Sequence, residues 1–404
     1  MNIKKENVNS KEKSMFIIST FLFITSFLLI GLNNSKEFSN IGFIMIGVLL
    51  VFYFCFFLLN IVKRKYILKK EKWIFLLSFL YVMVYFSGIF VDINMASITN
   101  VIQVLMVVLF FLGVTYIPLN KINERIVFVI ISGFLFFHLF WWITQGFPSS
   151  FKGAVANPNS FGGYIVFLLG IMFIFYKAKS KKSIFIVTIP TLIGICLLFL
   201  SGSRSVLLVA LTFLITYYLW PIFAKKRLIF NAYFIVLTGI IFIFTYIYPK
   251  LSTLSIGKDL NNYSFKYTGK TFFSGRQYIW GDLINVIDEK LLWGYGSAAS
   301  PSSLVASGLS AHNFYLQTAL QVGFLGISVL FLLFLSVWNY LYLAKLHSKV
   351  RIIGSLFLGV LVYLVFEVSL TQNNLAIALL QWLIIGLGVN YTRKSLLSKA
   401  EIKV

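Results

Sequence analysis

The chain has 404 residues, 59% of them hydrophobic and 12% charged, with a formal net charge of +23. A soluble domain carries about 25% charged residues, so a soluble globular protein is excluded. The basic residues are distributed by loop, as set out below, which also excludes a nucleic-acid footprint.

A bilayer core about 30 Å thick needs about 20 apolar residues of helix. The sequence offers twelve such stretches, at 15–33, 40–62, 73–91, 97–119, 126–146, 160–176, 183–200, 205–222, 228–248, 313–343, 352–370 and 374–391. The first follows a charged stretch but lacks a small-residue cleavage site, so it reads as a span and not a cleaved signal peptide. The tenth is too long for one straight span and is expected to begin as a short helix at the outer surface, before Gly323 and Gly326. Cys55 and Cys196 fall within spans and read as small apolar residues, not a disulfide framework. The expected fold is all-α, a polytopic membrane protein with about twelve transmembrane helices, one domain over 1–404 and no internal repeat.

The 35 Lys and Arg residues give the orientation. Alternate segments (the N-terminus, loops 63–72, 120–125, 177–182, 223–227 and 344–351, and the C-terminal tail) hold 26 of them. The opposite set holds nine: Lys36, Lys152, Arg204 and six in 250–312. By the positive-inside rule both termini are cytoplasmic and 250–312 is an extracytoplasmic loop, long enough to be largely exempt from the rule. The Lys-rich composition, 28 Lys to 7 Arg, suggests an AT-rich bacterial genome and hence the bacterial cytoplasmic membrane.

With this topology the even-numbered spans start at the outer face, where helix N-termini present free N–H groups and a positive dipole end. The sixth span follows Asn157-Pro158-Asn159, the eighth follows Ser201-Gly202-Ser203-Arg204-Ser205, and the tenth follows His312-Asn313. Asn and Ser are also good helix caps, so capping is the plain alternative for them. Arg204 is less easily explained. A cation at a helix start is electrostatically disfavoured, and a shared anion would reverse the penalty; snorkelling to the interface is the alternative. Arg276 repeats the arrangement. Ser274 to Gln277 fits a capping box, and Ile279, Trp280, Leu283, Ile284 and Ile287 recur at helical spacing, predicting an amphipathic helix over 275–289. Trp293-Gly294-Tyr295-Gly296 predicts a tight turn, and 297–310, rich in Ser, Ala and Gly, is expected to be mobile.

Of the three histidines, His347 lies in a basic cytoplasmic loop and His138 reads as a hydrogen-bonded core residue. His312, at the outer start of the tenth span, is suited to act as a base or an oxyanion donor. Glu367 is the only acidic residue within a predicted span, and an intramembrane carboxylate is a functional candidate by default. It is placed to line a polar cavity, pair with an outer Arg or couple a proton. The chain lacks a convincing acidic metal motif, a Cys/His zinc pattern, a Walker loop and a Gly-x-Ser-x-Gly elbow. A cofactor-free, metal-independent mechanism based on positive charge is the economical expectation.

Gly153 followed by Asn157-Pro158-Asn159, Ser203-Arg204-Ser205, Ser274-Gly275-Arg276 leading to Trp280, Trp293-Gly294-Tyr295-Gly296, and His312-Asn313 ahead of Gly323 and Gly326 occur in that order. Together with the twelve spans and the long outer loop, they resemble the O-antigen ligase and O-antigen or capsular polysaccharide polymerase (Wzy-like) superfamily over about 150–345. One position departs from it: members often carry an Arg shortly before that Gly, where this chain has Lys152, a point charge without the Arg fork. The resemblance implies a GT-C-like membrane glycosyltransferase acting on a polyprenyl-diphosphate-linked oligosaccharide donor and a glycan acceptor in the bilayer, with a chain-length regulator and a flippase as further partners. Breaking the sugar–phosphate bond leaves a lipid diphosphate whose growing charge needs preorganised donors. Arg204 and Arg276 are assigned to that clamp, with Lys152 as a third cation. His312 is assigned as the base on an acceptor hydroxyl or as a diphosphate contact, and Asn313 as its orienter or a sugar ligand. Asn157, Asn159, Ser203, Gln277, Trp280 and Glu367 complete the expected substrate-binding set. Tyr278, Trp280, Trp293 and Tyr295 are either sugar-stacking walls or interface anchors.

A polymerase joining lipid-linked repeat units is the first expectation. A ligase using a different acceptor shares its donor and is the sibling reading. A lipid-linked sugar flippase is the alternative of a different class. Transporters often show repeated halves around a midplane site, whereas here the polar motifs gather at one face.

Overall fold

The computed structural model describes Thr25 and residues 39–63, 70–117, 121–155, 157–176, 181–305, 308–371 and 374–401. In lipid, backbone groups must bond one another, which leaves helices as the solution for isolated apolar runs. The α-helices are α1 (Ser39–Lys63), α2 (Lys72–Ser87), α3 (Met95–Val114), α4 (Lys121–Thr144), α5 (Pro158–Phe175), α6 (Lys181–Leu200) and α7 (Arg204–Phe223). They continue as α8 (Arg227–Leu251), α9 (Ser255–Thr268), α10 (Arg276–Glu289), α11 (Pro301–Leu304), α12 (Phe314–Leu341), α13 (Ser348–Tyr363) and α14 (Leu375–Glu401). No strand occurs among the described residues.

Eight helices among the described residues are long and apolar enough to cross a membrane; α1 and α6 hold shorter apolar stretches, Ile44–Leu59 and Ile184–Leu200. The protein is an all-α, multi-pass membrane protein. Each predicted span from 40–62 onwards holds a helix, while of 15–33 only Thr25 is among the described residues. Burial sorts the bundle: 94% of the apolar window of α14 and 83% of that of α5 are buried, against 28% in α4, α7 and α8. The first two therefore form the centre, and the other three turn faces to lipid. Around them α13 packs on α7 and α14, α12 on α2, and α3 between α1 and α14.

One end of the bundle is tied by buried charge. Arg393 donates from Nε to Glu71 Oε1 at 2.8 Å and from Nη1 to the Thr115 carbonyl at 2.7 Å, and Tyr340 donates to the same carboxylate. Beside it Lys349 pairs with Glu124, which also accepts from the Tyr391 hydroxyl at 3.1 Å. The other end carries the residues singled out above.

The long α12 is not one rod. Val322 and Gly323 leave helical geometry, Gly323 with φ 64°. The backbone of 291–296 crosses the break and takes up the groups it frees. Phe324 N–H donates to Leu291 O at 2.7 Å, Tyr295 N–H to Leu320 O at 2.7 Å, and Gly296 N–H to Gln321 O at 3.0 Å. A Cβ on Gly323 would lie 2.3 Å from Leu292 O, and one on Gly294 2.7 Å from Gln321 O. Both glycines are thus required by backbone approaching backbone. The expected break is present, with a short helix ahead of it, and Phe314–Gly323 is buried within the bundle.

Three expectations are corrected. The eleventh span does not stay helical to 370: α13 ends at Tyr363, and Leu364 O accepts from Phe314 N–H at 2.9 Å instead of from within its own helix. The Ser274–Gln277 capping box does not form, because the N-cap of α10 is Gly275 at φ 89° with no side-chain cap. The 297–310 segment is not loose throughout. Ser297 is buried and donates to Tyr85 O, Asn100 donates to Ser297 O, and Ala299 O accepts from both Gln317 and Gln321. Helix α9 was not anticipated; Gly269, its left-handed C-cap, was the available signal.

Candidate active site

Arg276 is the first residue of α10 and Glu367 lies in the unwound segment beyond α13. Arg276 Nη2 donates to Glu367 Oε1 at 3.4 Å, and its guanidinium lies 5.9 Å from the Phe366 ring centroid. His312 Nδ1 approaches the other carboxylate oxygen, Oε2, at 3.6 Å. The three side chains thus converge from α10, the segment before α12 and the segment after α13. Glu367 is largely buried, its side chain 12% exposed, whereas His312 is 42% exposed and open to a ligand.

The local sequence explains why His312 points there. Ala311 is fully buried and its carbonyl accepts from Trp280 Nε1 at 2.8 Å. Asn313 is fully buried too: its Oδ1 accepts from Tyr315 and Leu316 N–H at 2.9 and 3.0 Å, and its Nδ2 donates to Thr245 Oγ1 at 3.4 Å. Between these anchors His312 adopts φ 45°, a conformation that costs energy and persists only where the surroundings enforce it. The strained residue is the one that carries the exposed imidazole.

Arg204 opens α7 and is exposed, with Nη1 donating to Thr271 O at 2.7 Å; Lys270 Nζ returns the contact by donating to Gly202 O at 3.0 Å. The loop before Arg276 is therefore pinned across the start of α7. Lys152 is exposed and lies by the turn between α6 and α7, since its neighbour Phe151 donates its N–H to Leu200 O at 2.9 Å. Asn157 caps α5, with Oδ1 accepting from Ser160 N–H at 2.8 Å. Asn159 offers its carbonyl to the Tyr363 hydroxyl at 3.5 Å, one helical turn before Glu367. The expected residues thus line one end of the bundle, along a path from Lys152 through Arg204 and Arg276 to Glu367 and His312.

Not all of them reach its surface. Trp280 is fully buried, edge to face with Phe244 and 5.0 Å from the Tyr248 centroid, so it anchors Ala311 and is not a sugar-stacking wall. Ser203 is buried with its hydroxyl 3.0 Å from that of Ser205, and the Asn313 amide is consumed in capping. These two hold the backbone of the site and do not face a substrate. Gln277 is buried, with Oε1 lacking a hydrogen-bond partner. Of the four aromatics named as possible sugar walls, Tyr278 and Trp293 are exposed, at 72% and 64%. Tyr295 turns its hydroxyl to Glu289 at 2.9 Å. His138 is buried as expected, its Nδ1 2.9 Å from Phe134 O. Sequence reasoning missed Lys270 and Tyr363; neither stands in a motif, and only the fold brings them to Gly202 and Asn159.

An all-α membrane bundle with a cationic site at one end is the class these features define. Residues 189–331, roughly a third of the chain, match the family model described as O-antigen ligase. The matched stretch runs from within α6 to within α12. It includes Arg204, Arg276 and His312; Lys152, Asn157, Asn159 and Glu367 lie outside it. No curated protein matches the chain.

Proposed function

We propose that the protein is a membrane glycosyltransferase of cell-surface polysaccharide synthesis, moving an oligosaccharide from polyprenyl diphosphate to a sugar hydroxyl at the outer face of the bacterial cytoplasmic membrane. The observation that carries this reading is the convergence of Arg276 and His312 on Glu367, at 3.4 and 3.6 Å, within one bundle end that also bears Arg204. The family match supports it from outside that geometry.

In the reaction the acceptor oxygen forms a bond to the anomeric carbon, and the bond from that carbon to phosphate breaks. The lipid diphosphate leaves with the electron pair. With Nδ1 facing Glu367, His312 presents Nε2 on the opposite side of its ring, where it takes the acceptor proton; Glu367 holds the ring and stabilises the imidazolium that results. Arg276 engages Glu367 through Nη2, leaving other donors of its planar fork for a phosphate. Arg204 adds a second fork and Lys152 a point charge, and together with the starts of α7 and α10 they offset the charge that grows on the leaving group. Positive charge does this work, so transfer proceeds without a metal ion.

We take the acceptor to be another lipid-linked repeat unit, which makes the protein a polymerase. The family description favours a second reading, ligation to a different acceptor. Purified protein given a lipid-diphosphate oligosaccharide in the presence of a chelator is expected to lengthen the lipid-linked glycan. Single-unit product appearing only when a different acceptor is added would select the ligase. Lipid translocation without any glycosyl transfer would reject both in favour of a flippase.

A further inference from the structure

The bundle end opposite the proposed active site carries a cavity of about 460 Å³ between α2, α8 and α12. Lys70 and Arg227 stand at its polar side, at the starts of α2 and α8, while Leu77, Leu332 and Leu335 supply its apolar lining. Among the described residues the ion pairs engage Arg276, His312, Lys349 and Arg393, so neither Lys70 nor Arg227 is neutralised by a carboxylate. Glu71, the acid next to Lys70 in sequence, is turned inward and consumed by Arg393 and Tyr340. Arg227 is held in place, with Nε and Nη2 donating to Asn339 Oδ1 at 3.3 and 3.1 Å, and a third donor, Asn231 Nδ2, reaches the same oxygen at 2.9 Å. Its Nη1 edge is left for another acceptor. The cavity is also open towards lipid: Trp73 is 62% exposed and Leu332 47%.

We infer that this cavity is a binding site for an anionic glycerophospholipid, its phosphate between Lys70 and Arg227 and an acyl chain along Leu77, Leu332 and Leu335. The charge selects the class. Two unneutralised cations, Arg227 held by Asn339 and Lys70 exposed beside it, above an apolar trough complement one phosphate attached to a hydrocarbon chain, and basic pockets between membrane helices take up anionic lipid head groups. A free phosphate would leave the trough unfilled, and a zwitterionic lipid would bring its own cation to the same edge. Trp73 sits where an aromatic side chain anchors at the membrane–water interface. The volume falls within the range of small-molecule pockets. The site is independent of the glycosyl-transfer reading, and none of its residues belongs to that machinery.

The test uses full-length protein in a neutral detergent and follows thermal unfolding and lipid retention by native mass spectrometry. Phosphatidylglycerol is expected to raise the Tm in a saturable way and to remain bound; phosphatidylcholine with the same chains is expected to do neither. The K70Q/R227Q variant should bind phosphatidylglycerol about 30-fold more weakly, the loss expected for two interfacial cations. Leu332→Trp, which fills the trough and keeps both charges, should also weaken it. The control K225Q/K226Q, in the same basic loop but outside the cavity, should bind as the parent does. An equal response to phosphatidylcholine or to inorganic phosphate would overturn the inference, as would binding that survives in both cavity variants or falls equally in the control.

Discussion

Glu367 accepts from Arg276 and lies 3.6 Å from His312, so one carboxylate serves two groups with different tasks in the proposed reaction. Towards His312 it holds the ring; towards Arg276 it competes with the incoming diphosphate. Removing its charge while keeping its shape should therefore split the kinetic constants. E367Q is expected to lower kcat by about 10²-fold, within the range for general-base assistance, while leaving the donor KM unchanged or lower, because a neutral amide competes less than a carboxylate with the diphosphate for Arg276. A raised KM with kcat preserved would show that Glu367 only holds the site together. The neighbouring residues show what composition can and cannot reveal. Arg204, Arg276, His312 and Glu367 are each legible as ionisable groups in positions that a simple membrane helix disfavours. The pairing of Glu367 with two of them was not, since the partners come from three separated segments. Trp280 and Asn313 were assigned to substrate on residue type alone; their burial makes them supports for His312.

The elements were more legible than their ends. Hydropathy located the helices that cross the membrane because period and length are both strong signals there. It erred wherever tertiary contacts replaced a helical bond. Leu364 O accepts from Phe314 N–H, so α13 stops at Tyr363 although its sequence stays mostly apolar, Glu367 and Ser369 apart, to Leu370. Polar 255–268 gives no such signal for the converse reason, since a helix outside the lipid needs no apolar run. The break in α12 is foreseeable from Gly323, but its cause, the backbone of 291–296 lying across it, shows in the sequence only as the tight turn predicted at Trp293-Gly294-Tyr295-Gly296. Gly323→Ala tests that cause. A Cβ there would meet Leu292 O at 2.3 Å in a left-handed backbone of φ 64°, and the conformation alone costs about 1–3 kcal/mol. The variant is expected to unfold at lower temperature and to lose transfer activity. An alanine at Gly239, where a Cβ would meet nothing within 4 Å, should leave both unchanged.

At the scale of the whole molecule, charge is segregated along the bundle. One end carries the Glu71–Arg393 and Glu124–Lys349 pairs and the excess of basic loops; the other carries the proposed active site. The positive-inside rule then directs the site outward, where a lipid-linked glycan would meet it. With Cys55 and Cys196 replaced by Ala, a single cysteine at Lys258 is expected to react in intact cells with a membrane-impermeant maleimide, and one at Lys226 only after the membrane is opened. The opposite pattern would invert the topology and remove the basis for chemistry at the outer face. The central claim, that the Arg204, Arg276 and His312 cluster transfers the glycan, is tested most directly by the rate of lipid diphosphate release from a defined oligosaccharide donor, under chelation, by the parent protein and by folded R204A, R276A and H312A. The account predicts that R276A and H312A each lose about 10²–10³-fold in kcat, the loss typical of a missing transition-state donor, and that R204A loses transfer as well. Release at the parent rate in all three variants would contradict it.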